Sequence, residues 1–394
     1  MNRSRIVFFL VSACVVFPIL AGTLLRAAER NTPSAEDDSF HKYLSVFMDV
    51  LTLSRQAHVD KPSMDVLMEG ALDGTTDALD PFSIYVPAKA VDGYMEATAM
   101  SKRQSGLVLL KERGIAYVVA VEQGSPADAA GVRAGDIVTK INGSSTRSTP
   151  LWGIQEILGG KAGNKVSLEM LRIGEPAQAS FELKEFTSPP ASLSQVEGAP
   201  VLRIQSFEPG TPEQVRAILQ KQVWKDGLVV DLRGVSSGEA ESAYGTAELF
   251  ANGDLGALQR RQEILKTFAG RQAPVYKGGK LVVLVDRGTL GAGEVFATVL
   301  RQKSKADLVG ERTFGHAGRL GSAQLSSGGR LLFTDAFYTG PDRKLLNESL
   351  KPDVLVSERS RTYLEKDVPL SELILRRGVR HLLGKEEPAE QKAA

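Results

Sequence analysis

The tightest constraint on how this chain can fold is one stretch of its 394 residues, LVVLVDRGTLGAGEVFATVLRQKSKADLVGERTFGHAG, from Leu281 to Gly318. Leu281–Val285 is an unbroken apolar run, and a glycine-bearing turn, Arg287–Gly293, follows it. Glu294–Gln302 then carries apolar residues at helical spacing: Val295, Phe296, Val299 and Leu300. This pattern predicts a fully buried parallel strand, a tight turn and a helix. In such sheets the chemistry sits beyond the carboxyl end of the strand, so a nucleophile is expected at the turn. Gly291 and Gly293 stand there instead, with no hydroxyl or thiol between Leu290 and Glu294.

Charge and cysteine content narrow the function classes. The formal net charge is +1, from 48 basic and 47 acidic residues, so there is no electrostatic footprint for nucleic acid. A single cysteine, Cys14, allows neither an internal disulfide nor a cysteine-built metal site. The four histidines, His41, His58, His316 and His381, lack metal-ligand spacing. A site built from His316, Glu294 and Glu311 has suitable ligand types, but nothing in their spacing makes them converge. No cofactor is expected.

Arg3 and Arg5 precede Ile6–Leu25, a run without formal charge that Arg26 closes. That fits a signal peptide or a membrane anchor, with the rest of the chain facing outward. Val11-Ser12-Ala13-Cys14 has the look of a lipoprotein cleavage box, although apolar sequence continues to Leu25. The expectation is export, periplasmic in a Gram-negative cell, with membrane contact through residues 6–25.

Asn31–Ser39 reads as a flexible linker, and Phe40–Leu72 as two helices divided at Pro62. Further on, Gly124-Ser125-Pro126-Ala127 leads through Ala130-Gly131 to Gly135-Asp136. Strand patterns at Ala116–Val121, Ile137–Ile141 and Lys165–Arg172 surround it, with an Asn142-Gly143 turn and a short helix over Leu151–Leu158. This segment, from Ser105 to Leu183, resembles a PDZ domain. The resemblance implies that Ser105-Gly106-Leu107-Val108 receives the terminal carboxylate of a peptide that adds a strand to the sheet edge.

Phe186–Ala199 reads as a crossover linker, Val201–Ser206 as a strand and Thr211–Val223 as a helix opened by Thr-Pro. Leu228–Arg233 reads as a buried strand, Glu239–Leu249 as a helix and Gln259–Lys266 as a strand. Leu331–Tyr338 alternates as a strand does, and Asp367–Leu383 reads as a terminal helix ahead of a charged tail.

Several motifs together resemble the tail-specific, or C-terminal processing, serine peptidases. Thr289-Leu290-Gly291-Ala292-Gly293-Glu294 overlays that family's SASASE, whose third residue is the nucleophile. Val309-Gly310-Glu311-Arg312-Thr313-Phe314-Gly315-His316 overlays VGE-x-TFGK, whose lysine is the general base. Leu79-Asp80-Pro81-Phe82-Ser83-Ile84-Tyr85, Tyr338–Arg343 and Leu350–Val354 match other family segments, so the likeness runs from about Phe40 to Leu383. The resemblance implies an α/β core of the crotonase-like, ClpP-like spiral kind with an inserted PDZ domain and an N-terminal helical segment. The expected division is 1–30 signal or anchor, 31–104 linker and helices, 105–186 PDZ, 187–360 peptidase-like core and 361–394 helix and tail.

Within that frame the nucleophile position is Gly291, the base position is His316, and a helical aspartate of the family becomes Gln302. The family's NNPGG loop reads Gly234–Gly238 here, leaving Ser237, Gly238 and Ala292 as the oxyanion-hole remnant. Removing such a serine costs on the order of 10⁶ in turnover, so hydrolysis is expected to be absent. The leading expectation is a peptide-tail-binding homologue, serving as an adaptor or as an inactive partner of an active peptidase paralogue. Two alternatives stand beside it: a working peptidase using Thr289, Ser236 or Ser237 with His316, and a structural envelope protein.

Overall fold

The computed structural model describes residues 35–360 except 222, together with 365 and 368–385. The expected signal or anchor segment, Ile6–Leu25, lies outside the described residues. These fall into two compact units that part between Ala71 and Leu72. In chain order the N-terminal helices are Ala35–Ala57 (α1) and Met64–Asp77 (α2), so helix begins inside the expected linker.

The core is built outward from Leu281–Val285. Ile84–Val86 (β1), part of the segment expected to hold only linker and helices, belongs to the core, and Val91–Ser105 (α3) follows it. The PDZ sheet then comprises Leu107–Glu112 (β2), Ile115–Val121 (β3), Ile137–Ile141 (β4), Ser144–Ser145 (β5), Lys165–Arg172 (β6) and Glu175–Glu182 (β7). Its helices are Pro126–Ala129 (α4) and Leu151–Leu158 (α5). Ser125 caps α4 by accepting the Asp128 N–H at 3.1 Å, with Pro126 in the first helical turn. The β4–β5 turn uses Asn142 and Gly143 at φ 49° and 79°, as a tight hairpin of this type requires.

The rest of the chain forms Ala191–Val196 (β8), Ala199–Ile204 (β9), Thr211–Leu219 (α6), Leu228–Asp231 (β10), Ala240–Ala247 (α7), Gly253–Arg260 (β11), Glu263–Gly270 (β12) and Leu281–Val285 (β13). Ala292–Ser304 (α8), Asp307–Gly310 (β14), Gly318–Gln324 (β15), Arg330–Tyr338 (β16), Val354–Leu355 (β17) and Leu370–Leu382 (α9) complete it. One sheet has the order β17-β14-β13-β10-β9-β8, parallel except for the β8 edge; the other runs β1-β16-β11-β12 with β15 on β16.

β13 lies between β10 and β14 and is buried along its whole length. Its side chains alternate between two helix layers. Leu281, Val283 and Val285 pack with Val295, Phe296, Val299 and Leu300 of α8, while Val282 and Leu284 pack with Leu373, Ile374, Val379 and Leu382 of α9. Each such side chain taken fully out of water contributes about 1.5–3 kcal/mol. The result is an α/β core that aims the β13–α8 turn at one end of the sheet.

Two sequence expectations are corrected, and one strand lies where the sequence pattern marked none. Gln259–Lys266 is a hairpin and not one strand, because Arg261 takes a positive φ of 52° at the β11–β12 turn. Phe186–Ala199 is not simply a linker, since β8 pairs along β9 and closes the sheet edge. Gly318–Gln324, which has no apolar alternation, is nonetheless a strand because β16 supplies its hydrogen-bonding partners.

At the end of β10, Asp231 is buried and paired with Arg203 at 2.9 Å and Arg233 at 2.6 Å. Burial pushes its carboxyl up, but the two guanidiniums outweigh burial and hold it down at about 2. Asp231→Asn is therefore expected to cost about 3–5 kcal/mol, since it strands two partly buried cations. The folded pKa lies below the ordinary 3.8, so this stabilisation is present above that pH and is lost as pH falls toward about 2. Urea unfolding of wild type and variant from pH 2 to 7 measures both effects.

Candidate functional site

The β13–α8 turn ends in Gly291, which sits at φ 59°, ψ −111°. This is a positive-φ elbow that an L side chain adopts only under strain. A Cβ added there would meet nothing nearer than the His316 carbonyl oxygen at 3.9 Å. The backbone thus has the sharp strand-to-helix turn that presents nucleophiles in hydrolases, with room for a side chain and none present.

Glu294 joins this elbow to the loop that carries His316. Its Oε2 accepts the Gly291 N–H at 3.1 Å and the His316 N–H at 2.9 Å. Its Oε1 accepts the Gly315 N–H at 2.6 Å and the Thr313 hydroxyl at 2.5 Å. Glu294 is 1% exposed, and burial pushes its carboxyl up to about 7 against four donors that all favour the anion. The sequence shows Glu294 as the end of the Thr289–Glu294 motif and an acid in the first turn of a helix, where acids are common anyway.

His316 is held by aromatic rings. Phe82 stacks on the imidazole at 4.3 Å, Phe337 meets it edge-on at 5.1 Å, and Nε2 shares a hydrogen bond with Thr334 Oγ1 at 3.1 Å. Phe82 is aimed by Asp80, whose carboxylate accepts the Phe82 N–H at 2.8 Å, the Ser83 N–H at 2.9 Å and the Ser83 hydroxyl at 2.8 Å. The Asp80–Ser83 motif is thereby connected to the site. Burial lowers the His316 pKa and the Asp80 charge partly offsets that, which keeps the ring neutral near pH 7.

Gly291, Ala292, His316, Ser236, Ser237 and Gly238 line one cavity of about 290 Å³, together with Phe82, Leu290, Leu320 and Tyr338. Glu239, Glu241 and Arg319 add charge to its lining. Gly238, at φ 107°, approaches Phe207 so closely that a Cβ would lie 2.4 Å from its backbone nitrogen. The N–H groups of Gly238 and Ala292 donate to no acceptor among the described residues.

Other predicted residues lie elsewhere. Gln302 is exposed on α8 and accepts the Asp342 N–H at 3.2 Å, outside the cavity lining. Thr289 is fully buried; its hydroxyl donates to the Leu232 carbonyl at 2.9 Å and accepts the Asp286 N–H at 3.0 Å, so it points into the fold. Glu311 pairs with Arg287 at 3.0 Å, while both Glu294 oxygens are taken by the four donors above.

The predicted carboxylate loop is closed. Ser105 is 0% exposed and Leu107 2%. The Ser105 hydroxyl donates to the Ser101 carbonyl at 2.6 Å and accepts the Leu107 N–H at 3.1 Å. Gly106 is buried at φ 73°, where a Cβ would overlap Ser125 at 2.1 Å, and Val108 is half-buried. The outer face of β2 and β3 packs its Leu110 and Val119 against Leu290, with Phe82 and Phe314 around them. The PDZ sheet therefore touches the cavity's own turn.

Residues 199–356 match the family model of peptidase family S41, and residues 117–172 match that of the PDZ domain. The chain is 26% identical over 395 residues to a carboxy-terminal-processing protease of Bartonella bacilliformis, covering 97% of this chain and 89% of that protein. It is 26% identical over 374 residues to the carboxy-terminal processing protease CtpA of Bacillus subtilis, covering 90% and 78%. Its fold is like that of the solved photosystem II D1 C-terminal processing protease, with a TM-score of 0.65 and 23% identity over 86% of this chain and 97% of that one.

Glu294→Gln turns an amide N–H₂ toward backbone donors and is expected to destabilise the protein by about 1–3 kcal/mol. The folded carboxyl titrates above the unfolded one, so the folded state binds more protons between about 4.5 and about 7. Wild type is thus expected to lose stability relative to the variant as pH rises through that window. Denaturant midpoints of both proteins from pH 4 to 8 test the sign.

Proposed function

From a chain that carries a peptidase family S41 domain with a PDZ domain and is homologous to carboxy-terminal processing proteases, we propose a protein that binds the C-terminal tails of other proteins in a peptidase cleft and does not cut them. The observation that carries this reading is Gly291: the elbow and the cavity are in place, the Gly238 and Ala292 N–H groups have no acceptor among the described residues, and residue 291 has no side chain to attack with. Gly238 and Ala292 are the oxyanion donors of that cleft, and His316 occupies the base position. A neutral imidazole is a competent base near pH 7, but it has no hydroxyl at residue 291 to activate. Thr289 does not replace it, since its hydroxyl is engaged by Leu232 and Asp286.

Ser105–Leu107 of the PDZ loop is buried, which makes the cleft the first point of contact for a tail. Strand addition at the free β2 edge would follow opening of that loop. Arg3, Arg5 and the apolar run Ile6–Leu25 support a location outside the cytoplasmic membrane, where the protein would serve as an adaptor or as the inactive partner of an active peptidase. A second reading has one observation in its favour: Ser236 and Ser237 share the cavity with His316, as a displaced nucleophile would.

Incubation with unstructured peptides ending in small apolar residues separates the two. The wild-type chain is expected to bind them and leave them whole. Gly291→Ser combined with His316→Lys is expected to restore measurable cleavage, at a backbone strain cost of about 1–3 kcal/mol for a serine at positive φ. Cleavage by wild type that disappears in Ser237→Ala or Ser236→Ala would establish the second reading instead.

A further inference from the structure

We propose that the cavity at Gly291 is a receptor for a chain end, holding the free terminal carboxylate of a peptide in the space a nucleophile side chain would fill. This rests on the reading that the cleft binds without cutting, and it specifies what the cleft grips. Two features of the cavity carry it. Gly238 and Ala292 belong to different loops and line the same cavity, and their N–H groups have no acceptor among the described residues. Between Gly291 and the His316 loop there is open volume, since a Cβ on Gly291 would find its nearest neighbour at 3.9 Å.

An interior peptide carbonyl brings one oxygen, and the next residue must leave past Gly291. A terminal carboxylate brings two oxygens and no continuing chain. One oxygen suits the Gly238 and Ala292 donors, and the second enters the volume above Gly291 on the His316 side. A serine hydroxyl would occupy that volume, so the glycine makes room for the second oxygen. Charge-assisted hydrogen bonds to an anion are roughly twice as strong as neutral ones, which favours the chain end over an interior carbonyl. Charges of the lining act on both sides: Arg319 is paired with Asp335 at 2.7 Å, and Glu241 accepts the Tyr338 hydroxyl at 3.1 Å with Lys266 at 3.6 Å. Glu239 is exposed at the rim. The apolar part of the lining, Leu290, Ala292, Ala317 and Leu320, fits small apolar side chains at the last positions of the tail.

The test uses the full-length, ¹⁵N-labelled chain titrated with acetyl-trialanine as the free acid and as the C-terminal amide. Amide resonances of Gly238, Ala292 and Ser105–Val108 report the site. The expected result is saturable shifts at Gly238 and Ala292 with the acid, an amide at least tenfold weaker, and at least tenfold weaker acid binding in Gly291→Ala, whose methyl fills the volume. The acid–amide comparison on wild type decides the matter even if that variant does not fold. Equal binding of acid and amide at Gly238 and Ala292 overturns the chain-end proposal and leaves tail binding in the cleft intact. Shifts confined to Ser105–Val108 overturn the proposal and assign the tail to the PDZ loop. Absence of shifts at both places, with longer peptides also failing to bind, overturns the proposal together with the reading beneath it.

Discussion

Everything at the cavity depends on one buried carboxylate. Glu294 draws three backbone N–H groups and a hydroxyl onto two oxygens, and those donors come from two segments that meet only in the folded chain. Without that convergence, the Gly291 elbow and the His316 loop would each be an ordinary turn on its own element. A buried anion needs such a ring of donors to be tolerated. The donors in turn need a common acceptor, because backbone N–H groups shut away from water are costly when unmet. Anion and loops therefore stabilise each other, and together they fix the geometry of the cleft.

The sheet that carries this cleft was readable where local pattern and tertiary demand agree. Leu281–Val285 reads as a buried strand because both of its faces meet helices, so every position must be apolar. The pattern fails where conformation has no compositional mark. Arg261 turns a hairpin at positive φ without a glycine or proline, and β15 has two glycines and little apolar rhythm. Both are fixed by pairing with the neighbouring strand and not by an apolar pattern of their own. The same division holds at the cavity. Gly291, Ala292, His316, Ser237 and Gly238, grouped by the resemblance, line one cavity, whereas Gln302 is exposed on α8 outside it. Glu294 was visible as a residue but not as a clamp, because three of its four donors lie about twenty positions downstream.

The motif Asp80–Ser83 is a case where the sequence likeness preceded its physical reason. Its aspartate makes a local turn by taking two N–H groups and a hydroxyl, which is ordinary loop chemistry. That turn delivers Phe82 onto the His316 ring and into the same apolar cluster as Phe314 and Leu290. A short N-terminal motif thus serves a histidine more than two hundred residues later, through ring stacking and the charge of Asp80.

The apolar seam of Leu110 and Val119 against Leu290 has a consequence for cooperativity. A module that shares buried side chains with its neighbour cannot melt alone without uncovering them. Leu72 onward forms a single compact body, so the PDZ sheet and the cleft lose structure in one thermal event. Damage to either is then felt as lost melting temperature in both.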